Sequence, residues 1–124
     1  MTILEALNRI DALKFNTYTI SEKMEWLSTL DSYVKSLIID NHEGGEAINF
    51  AGYDDKTDIN TVLLVPAPFD EIYLRWMESQ INYHNGELDK YNASIVMYNT
   101  VFDAYSNFYK RNHKPLSRGT RFIF

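Results

Sequence analysis

The chain has 124 residues, which fits one domain with a modest core. It contains no cysteine, and this excludes disulfides, thiol catalysis and cysteine-ligated zinc. The net charge is −5, and 15% of the residues are aromatic, a content that suits either a core of large rings or a surface buried on assembly.

A first helix is predicted over residues 2–14. Thr2 and Glu5 have the spacing of a capping box, in which each side chain bonds the backbone amide of the other residue. The segment carries acids and lacks a basic start before an apolar run, so it does not look like a secretory signal. No apolar run in the chain approaches the roughly 20 residues of a membrane helix, and we expect no membrane contact.

A second helix is predicted from the connector "KFNTYT" to about Asp40. Thr19 and Glu22 repeat the capping-box spacing, and apolar residues follow at helical intervals. The glycines Gly44 and Gly45 of "NHEGGE" end the helix.

Residues 43–66 form a long irregular connection, which is uncommon in compact domains. "TVLLV", residues 61–65, fits a short buried strand or an extended segment, and "INFAGY" fits a strand that pairs with it or with a neighbouring molecule. The acids of "YDDKTD", residues 53–58, are compatible with a weak cation site, but a solvated loop explains them far better. The glycines come without a P-loop lysine or a dinucleotide fingerprint.

A third helix follows two prolines. Pro68 is expected in its first turn, where a missing amide costs nothing, with Asp70 and Glu71 beside it at the positive end. Its apolar face is Phe69, Ile72, Tyr73, Trp76, Met77 and Ile81.

The stretch "INYHNGELDKYN", residues 81–92, crowds polar groups around one glycine. We interpret it as the junction of the third and fourth helices rather than as a catalytic or metal site. Asn85 is expected to take the left-handed conformation or to cap the next helix, Gly86 suits a helix end, and Glu87 and Asp89 suit a first turn.

The fourth helix is predicted from about Glu87 to Arg111. Its main apolar stripe advances by alternating steps of three and four residues, and a second stripe (Met97, Val101, Ala104, Phe108) lies next to it. A helix that is apolar on two faces has to bury both. We therefore expect aromatic side chains to pack in the core or between subunits, namely Trp76, Tyr91, Tyr98, Phe102, Tyr105, Phe108 and Tyr109.

The C-terminal tail, residues 112–124, is predicted to be extended or irregular. From Ala104 onward there are five bases and no acid, whereas residues 1–103 hold seven bases and 17 acids. An acidic body argues against a general nucleic-acid binder. An apolar end behind a basic run suggests that the tail docks on a partner.

Catalytic and metal signatures are missing from the sequence. The three histidines are scattered, and neither a paired-histidine metal motif nor a nucleophile elbow occurs. The aromatics of the fourth helix are not interleaved with bases, as a nucleic-acid stacking platform would require. We expect a protein without cofactor or metal that is not an enzyme.

Three features resemble the small head–tail connector proteins (adaptor or head-completion proteins) of long-tailed phages and prophages of Gram-positive bacteria. They are "LLVPAPFDEIY", an aromatic-rich helix that ends in "INYHNGELDKYN", and a long helix that ends in "AYSNFYKRNHKP". With "WLSTLDSYVKSLIID" and "FAGY" upstream, the resemblance spans roughly residues 24–115. The N-terminal helix lies outside it.

This resemblance implies an all-α fold, a small bundle of about four helices with a long loop, as one domain over residues 1–124. It implies a structural protein of the virion, assembled in the host cytoplasm. Such proteins form a ring, typically of twelve subunits, under the portal protein; the ring extends the DNA channel and receives a stopper and the tail. The portal-docking segment would comprise Pro115, Leu116, Arg118, Arg121, Phe122, Ile123 and Phe124.

Three other functions stay open. The first is a stopper or tail-completion protein of the same virion, which should bind only after the adaptor. The second is a small helical module whose apolar groove receives a peptide. The third is a hydrolase that uses His84. It predicts that His84→Ala abolishes an activity, whereas we expect that substitution to be nearly neutral. Deleting residues 115–124 is expected to leave the fold intact and to abolish portal binding.

Overall fold

The protein is a bundle of four α-helices. The computed structural model describes residues 1–116, and within that range it contains no β-strand. The helices are α1 (Ile3–Leu13), α2 (Ile20–Leu37), α3 (Glu71–His84) and α4 (Leu88–Asn112). Short 3-10 turns follow α2 at Ile39–Asn41 and Gly45–Ala47. The predicted all-α class is confirmed.

Capping boxes start the first two helices, as predicted. The Thr2 hydroxyl accepts a hydrogen bond from the Glu5 amide, and the Glu5 carboxylate accepts one from the Thr2 amide. Thr19 and Glu22 make the same reciprocal pair. Each box satisfies two amides that a helix start would otherwise leave unpaired.

The second helix ends earlier than predicted. It stops at Leu37 rather than near Asp40, and the chain tightens into the 3-10 turn at Ile39–Asn41. Gly45 is needed just beyond, because a Cβ there would lie 2.3 Å from the Ile39 carbonyl oxygen. Gly44, at φ +86°, supplies the left-handed residue between the two turns.

The prediction for Pro68 was wrong. The residue precedes α3 instead of lying in its first turn, and α3 begins at Glu71. The Phe69 amide donates to the Pro66 carbonyl at 3.0 Å, so the two prolines belong to a turn that delivers the chain to the helix.

Helix α3 lies at the centre of the bundle. It contacts α1, α2 and α4, and its longest contact is with α4. Its buried side chains include Ile72, Tyr73, Met77 and Ile81, all with no exposed surface. Burying one such apolar side chain contributes about 1.5–3 kcal/mol, so this helix organises the core.

The end of the long connection pairs with the start of α1. The Ile3 and Leu4 amides donate to the Thr61 and Ile59 carbonyls at 3.0 and 2.9 Å, and the Leu63 amide donates to the Met1 carbonyl at 2.9 Å. Residues 61–65 form no strand; a single antiparallel bridge joins Thr2 and Val62. The connection thus satisfies free amides at the N-terminus of a helix.

Candidate interaction surfaces

A buried carboxylate fastens the long connection to the bundle. Asp31 of α2 is fully buried and accepts hydrogen bonds from the hydroxyls of Tyr53 (2.5 Å) and Tyr73 (2.7 Å). The Leu64 amide donates to the same carboxylate at 3.2 Å, and the Tyr73 hydroxyl accepts from the Val65 amide at 2.7 Å. One side chain therefore joins α2, α3 and two separate parts of the connection.

The electrostatics of this cluster follow from its burial. Loss of water raises the pKa of the Asp31 carboxyl, and the hydrogen bonds from Tyr53, Tyr73 and Leu64 oppose that rise. Burial and the neighbouring Asp31 charge raise the pKa of both tyrosine hydroxyls. Because the carboxylate is enclosed, its hydrogen bonds hold α2, α3 and the connection together from inside the protein.

The segment "INFAGY" also lies on α2 rather than pairing as a strand. The Ser28 hydroxyl accepts from the Tyr53 amide at 3.0 Å. Gly52 precedes it at φ +92°, and a Cβ at this glycine would lie 3.2 Å from the Ser28 oxygen. The "GY" pair therefore combines a left-handed residue with the tyrosine that reaches Asp31.

The polar stretch 81–92 is a helix junction, as predicted, and aromatic rings stabilise it. The His84 ring stacks on Trp26 with centroids 5.7 Å apart and an interplanar angle of 9°. Tyr18 packs against both rings at 5.3 and 6.1 Å, and its hydroxyl donates to Asn85 at 2.6 Å. His84 thus belongs to a contact between the α1–α2 connector and the α3–α4 turn.

The role predicted for Asn85 was wrong. It is right-handed and ends α3, and the left-handed residue is Gly86 at φ +76°. Glu87 precedes α4, where its carboxylate meets Lys90 at 2.7 Å and Lys14 at 3.5 Å. The hydrogen bonds from Lys90 and Asn85 lower the pKa of Glu87. Because Gly86 adopts the left-handed conformation, the side chain of Asn85 is available to accept the hydrogen bond from the Tyr18 hydroxyl.

Exposed apolar side chains gather where the two connectors meet. Tyr18 and Asn85, together with Lys14 and Glu87, hold the α1–α2 connector against the α3–α4 turn. Phe15 is 87% exposed. We call the surrounding set the end patch, and it consists of Leu13, Phe15, Ile20, Tyr83 and Leu88.

A second exposed apolar group lies at the other end of α1. Leu4 is exposed next to Ile59, to which its amide is bonded, and Val62 is bridged to the preceding residue. We call Leu4, Ile59 and Val62 the N-terminal patch. Leu4 and Leu13 are nine residues apart in one helix, which separates the two patches by about 14 Å along its axis.

A third apolar surface runs between α2 and α4. On α2, Tyr33 and Leu37 lie one turn apart and are 44% and 59% exposed. Tyr33 contacts Trp76 of α3 edge-on at 6.1 Å, Trp76 contacts Tyr98 at 5.0 Å, and Tyr98 contacts Phe102 at 5.9 Å. These ring contacts run from α2 through α3 to α4.

The predicted packing residues of α3 and α4 are buried to two different degrees. Tyr98, Tyr105 and Tyr109 are buried in the core. The others are half-buried: Trp76, Tyr91, Phe102 and Phe108. In the second stripe, Met97 is 45% exposed and Ala104 is also exposed, so the outer side of α4 is covered only in part.

The start of the tail pairs with the turn after α2. His42 and Pro115 form an antiparallel bridge; the Glu43 amide donates to the Lys114 carbonyl at 2.8 Å, and the Leu116 amide donates to the Asn41 carbonyl at 3.2 Å. Pro115 and Leu116 of the predicted docking segment are thus placed. The rest of that segment lies outside the described residues: Arg118, Arg121, Phe122, Ile123 and Phe124.

Aromatic rings support the same bridge. Tyr109 of α4 packs edge-on against His42 at 5.2 Å and stacks on His113 at 3.8 Å. The His42 ring nitrogen also contacts the Ile38 carbonyl at 2.7 Å. Two of the three histidines are therefore engaged in packing at the base of the tail.

Residues 1–116 hold few groups that are suited to binding a ligand. No cluster of three or more histidine, aspartate or glutamate side chains occurs there that could hold a metal ion. In "YDDKTD", Asp54 accepts from the Lys56 amide and Asp55 from the Ser21 hydroxyl, as expected of a loop. No helix in this part of the chain is long and apolar enough to cross a membrane.

Among residues 1–116, one buried side-chain polar atom lacks a hydrogen-bond partner. The Asn82 side-chain oxygen makes no hydrogen bond, while its amide group donates to the Ser94 hydroxyl at 3.2 Å. Nearby, a shallow cleft of about 200 Å³ runs between α3 and α4 beside Lys14.

Comparison of the chain with protein-family models, with curated proteins and with solved structures finds no match in any of the three.

Proposed function

We propose that this protein is a head–tail connector of a long-tailed phage, which forms a ring under the portal protein. The observation that carries the proposal is the presence of two separate exposed apolar patches, the end patch and the N-terminal patch. A closed ring needs two different contact surfaces on each subunit, because every subunit meets one neighbour on each side. A monomer gains nothing from exposing Phe15 or Val62.

The charge distribution supports the same function. The acidic residues lie before Ala104, and the last five bases follow it. Basic walls in a channel would hold DNA through its phosphates and retard its passage, whereas an acidic wall would not. The acidic body therefore suits the wall of a channel, and we assign the basic tail to the portal protein.

The experiment is native mass spectrometry of the protein, alone and mixed with the portal protein of the same phage. A closed ring, alone or on the portal, is the expected result. Connectors that assemble only on the portal would appear as monomers by themselves, so the mixture decides. A protein that remains monomeric and ignores the portal would contradict the proposal; binding only after an adaptor has been added would identify a stopper.

The patches and the tail are tested separately by substitution. Phe15→Ser with Leu88→Ser should prevent ring closure, and Leu4→Ser with Val62→Ser should do the same from the other side. Because all four side chains are exposed, the monomer should keep its stability. The matched control is Tyr83→Phe, which keeps an apolar aromatic side chain in the end patch. If both double variants still formed normal closed rings of subunits, the two patches would not be the contact surfaces, and the proposal would lose its main support.

Portal binding by the tail is tested by deleting residues 117–124, which leaves the bridge at His42 intact. A charge-matched pair sharpens the result. Arg118→Ala with Arg121→Ala should weaken portal binding, and Arg9→Ala with Lys56→Ala, which removes the same charge elsewhere, should not. Equal loss in both pairs would indicate a general charge effect and contradict docking by the tail.

A further inference from the structure

The outer face of α4 is exposed and belongs to neither patch. Val96 is 62% exposed and Met97 is 45% exposed. Exposed residues recur on this face in alternating steps of four and three, the spacing that keeps one side of a helix turned toward a partner helix. We call these residues the α4 seam, and they are Ala93, Met97, Thr100, Ala104 and Asn107.

The middle of the seam can be covered at little cost. Ala93 and Ala104 are small, so a second helix can approach closely at both. The Thr100 hydroxyl already donates to the Val96 carbonyl at 3.0 Å, and covering it leaves no donor without an acceptor. The cleft of about 200 Å³ between α3 and α4 has Ala93 and Met97 in its wall, which leaves room beside the seam for a partner's side chain.

One edge of the seam carries opposite charges at its two ends. Residues spaced seven apart form this edge: Asp89, Val96, Asp103 and Lys110. Asp89 lies in the first turn of α4 and Lys110 in the last, and both are exposed. Within residues 1–116 neither of the two forms a salt bridge, whereas Lys90 is paired with Glu87 at 2.7 Å.

We propose that a second copy of the chain packs on the α4 seam, with the two α4 helices antiparallel and related by a twofold axis. Met97 of each copy lies opposite Thr100 of the other, and Ala93 lies opposite Ala104. A twofold contact uses one surface twice, whereas a ring uses two different surfaces. The pair therefore needs neither patch and does not depend on the proposed ring.

The charged edge selects this partner and this direction. In the antiparallel register Asp89 of each copy lies across from Lys110 of the other, so the twofold axis gives two attractive contacts. A parallel pair would place each of these charges against its own kind. Asp103 lies at the rim of the contact, where its carboxylate keeps its water.

The first test is disulfide cross-linking, since the chain lacks cysteine and every thiol is introduced. Chains with Ala93→Cys and with Ala104→Cys are mixed and mildly oxidised. We expect the mixed dimer to form in preference to a dimer of either chain with itself. In the proposed register, two copies of either position are separated by about 16 Å along the axis, too far for a disulfide.

Controls separate this contact from collision and from the ring. Asn92→Cys mixed with Asn99→Cys, at exposed positions of α4 outside the seam, gives the rate of chance cross-linking. All chains also carry Leu4→Ser with Val62→Ser, which removes one contact surface of the proposed ring. Cross-linking at the control rate, or a preference for like positions, would overturn the inference.

The second test exchanges the charges of the edge. Asp89→Lys alone and Lys110→Asp alone should each dimerise at least about tenfold more weakly in sedimentation equilibrium, because two attractive contacts become repulsive. A mixture of the two variants should regain the dimer, since both contacts in the mixed pair again join opposite charges. Circular dichroism checks that each variant keeps its helices.

The outcomes of this exchange decide the arrangement. Recovery in the mixture is specific to the antiparallel pair, because loss of helix stability in either variant would persist on mixing. Equal self-association of both variants and the unexchanged chain, or no recovery in the mixture, would overturn the inference. These measurements use no portal protein and a background that lacks one ring surface, so their failure leaves the proposed ring untouched.

Discussion

Two irregular segments leave the bundle, and they are fastened in opposite ways. The connection between α2 and α3 is held from inside the protein by Asp31. Its carboxylate accepts hydrogen bonds from the Tyr53 hydroxyl and from the Leu64 amide. The residues after α4 are held from outside, by backbone hydrogen bonds to the turn after α2 and by rings around Tyr109. The first anchor is a buried charge; the second combines a short backbone bridge with the buried rings of Tyr109 and His42.

This difference has consequences for stability and movement. A buried carboxylate with three donors is costly to disturb, because every donor that loses its acceptor stays away from water. A short backbone bridge opens at little cost, since water can replace its partners. We therefore expect the connection to unfold with the core and residues 113–116 to detach by themselves.

The largest effect is expected for Asp31→Asn. An asparagine offers one acceptor oxygen where two now receive Tyr53, Tyr73 and the Leu64 amide, so at least one buried donor loses its partner. We expect a loss of about 3 kcal/mol in the free energy of unfolding. Urea unfolding followed by circular dichroism measures it, and Asp103→Asn, at an exposed position of α4, is the matched control. Equal urea midpoints for the two variants would contradict the role of Asp31 as the anchor of the connection between α2 and α3.

The two tyrosines should differ from each other. Tyr73→Phe removes the bond to Asp31 and also the acceptor of the Val65 amide, whereas Tyr53→Phe removes one hydrogen bond. We expect losses of about 2 and about 1 kcal/mol respectively. Combining each with Asp31→Asn should give less than the sum, because the partners share one network. Additive losses would show that the hydroxyls act independently of the carboxylate.

The buried carboxyl also makes stability depend on pH. Burial raises the pKa of Asp31 above its unfolded value, so the folded state binds more protons between the two values. This contribution is complete below the unfolded pKa and is lost as the pH rises through the folded pKa. The stability advantage of the wild type over Asp31→Asn should therefore shrink across that interval by about 1.4 kcal/mol per unit of difference. An advantage that grows with pH would contradict the sign.

Helices were predictable because their signals are local. The boxes at Thr2 and Thr19 predicted two starts, and Gly86 marked the break between α3 and α4. The stretch 81–92 was interpretable as a junction for the same reason. The aromatic contacts of this stretch could not be predicted from the sequence. Trp26 and His84 are 58 residues apart, and only the packing of α2 on α3 brings them together.

The network of Asp31 was missed for a related reason. Asp31 lies between Leu30 and Ser32 in an amphipathic helix. An acid at such a position is normally interpreted as solvent-facing, and no neighbouring residue indicates that it is buried. Its partners come from residues 53, 64 and 73. A usable indication was Gly52 in the long connection, since a glycine in an extended segment often marks a backbone that approaches another element closely. The early end of α2 at Leu37 has a cause that is close in sequence, because a Cβ at Gly45 would lie 2.3 Å from the Ile39 carbonyl oxygen, but apolar periodicity does not reveal it.

The smallest effect on overall stability is expected at the surface anchor. Leu116→Pro removes the amide that donates to the Asn41 carbonyl, while Leu116→Ala keeps it. We expect both variants to lie within about 0.5 kcal/mol of the wild type in urea unfolding, because the position is at the surface and outside the core.

Hydrogen exchange distinguishes these two variants. The Glu43 amide is bonded to the Lys114 carbonyl in the same bridge, so opening the bridge exposes it. Its exchange should be faster in Leu116→Pro and unchanged in Leu116→Ala, while amides of α3 keep the wild-type rate in both. Slow exchange of Glu43 in the proline variant would show that residues 113–116 are held by the rings of His42, Tyr109 and His113 instead of the backbone bridge. In that case the two irregular segments would share one mode of attachment, through side chains, and the contrast between them would lie only in burial.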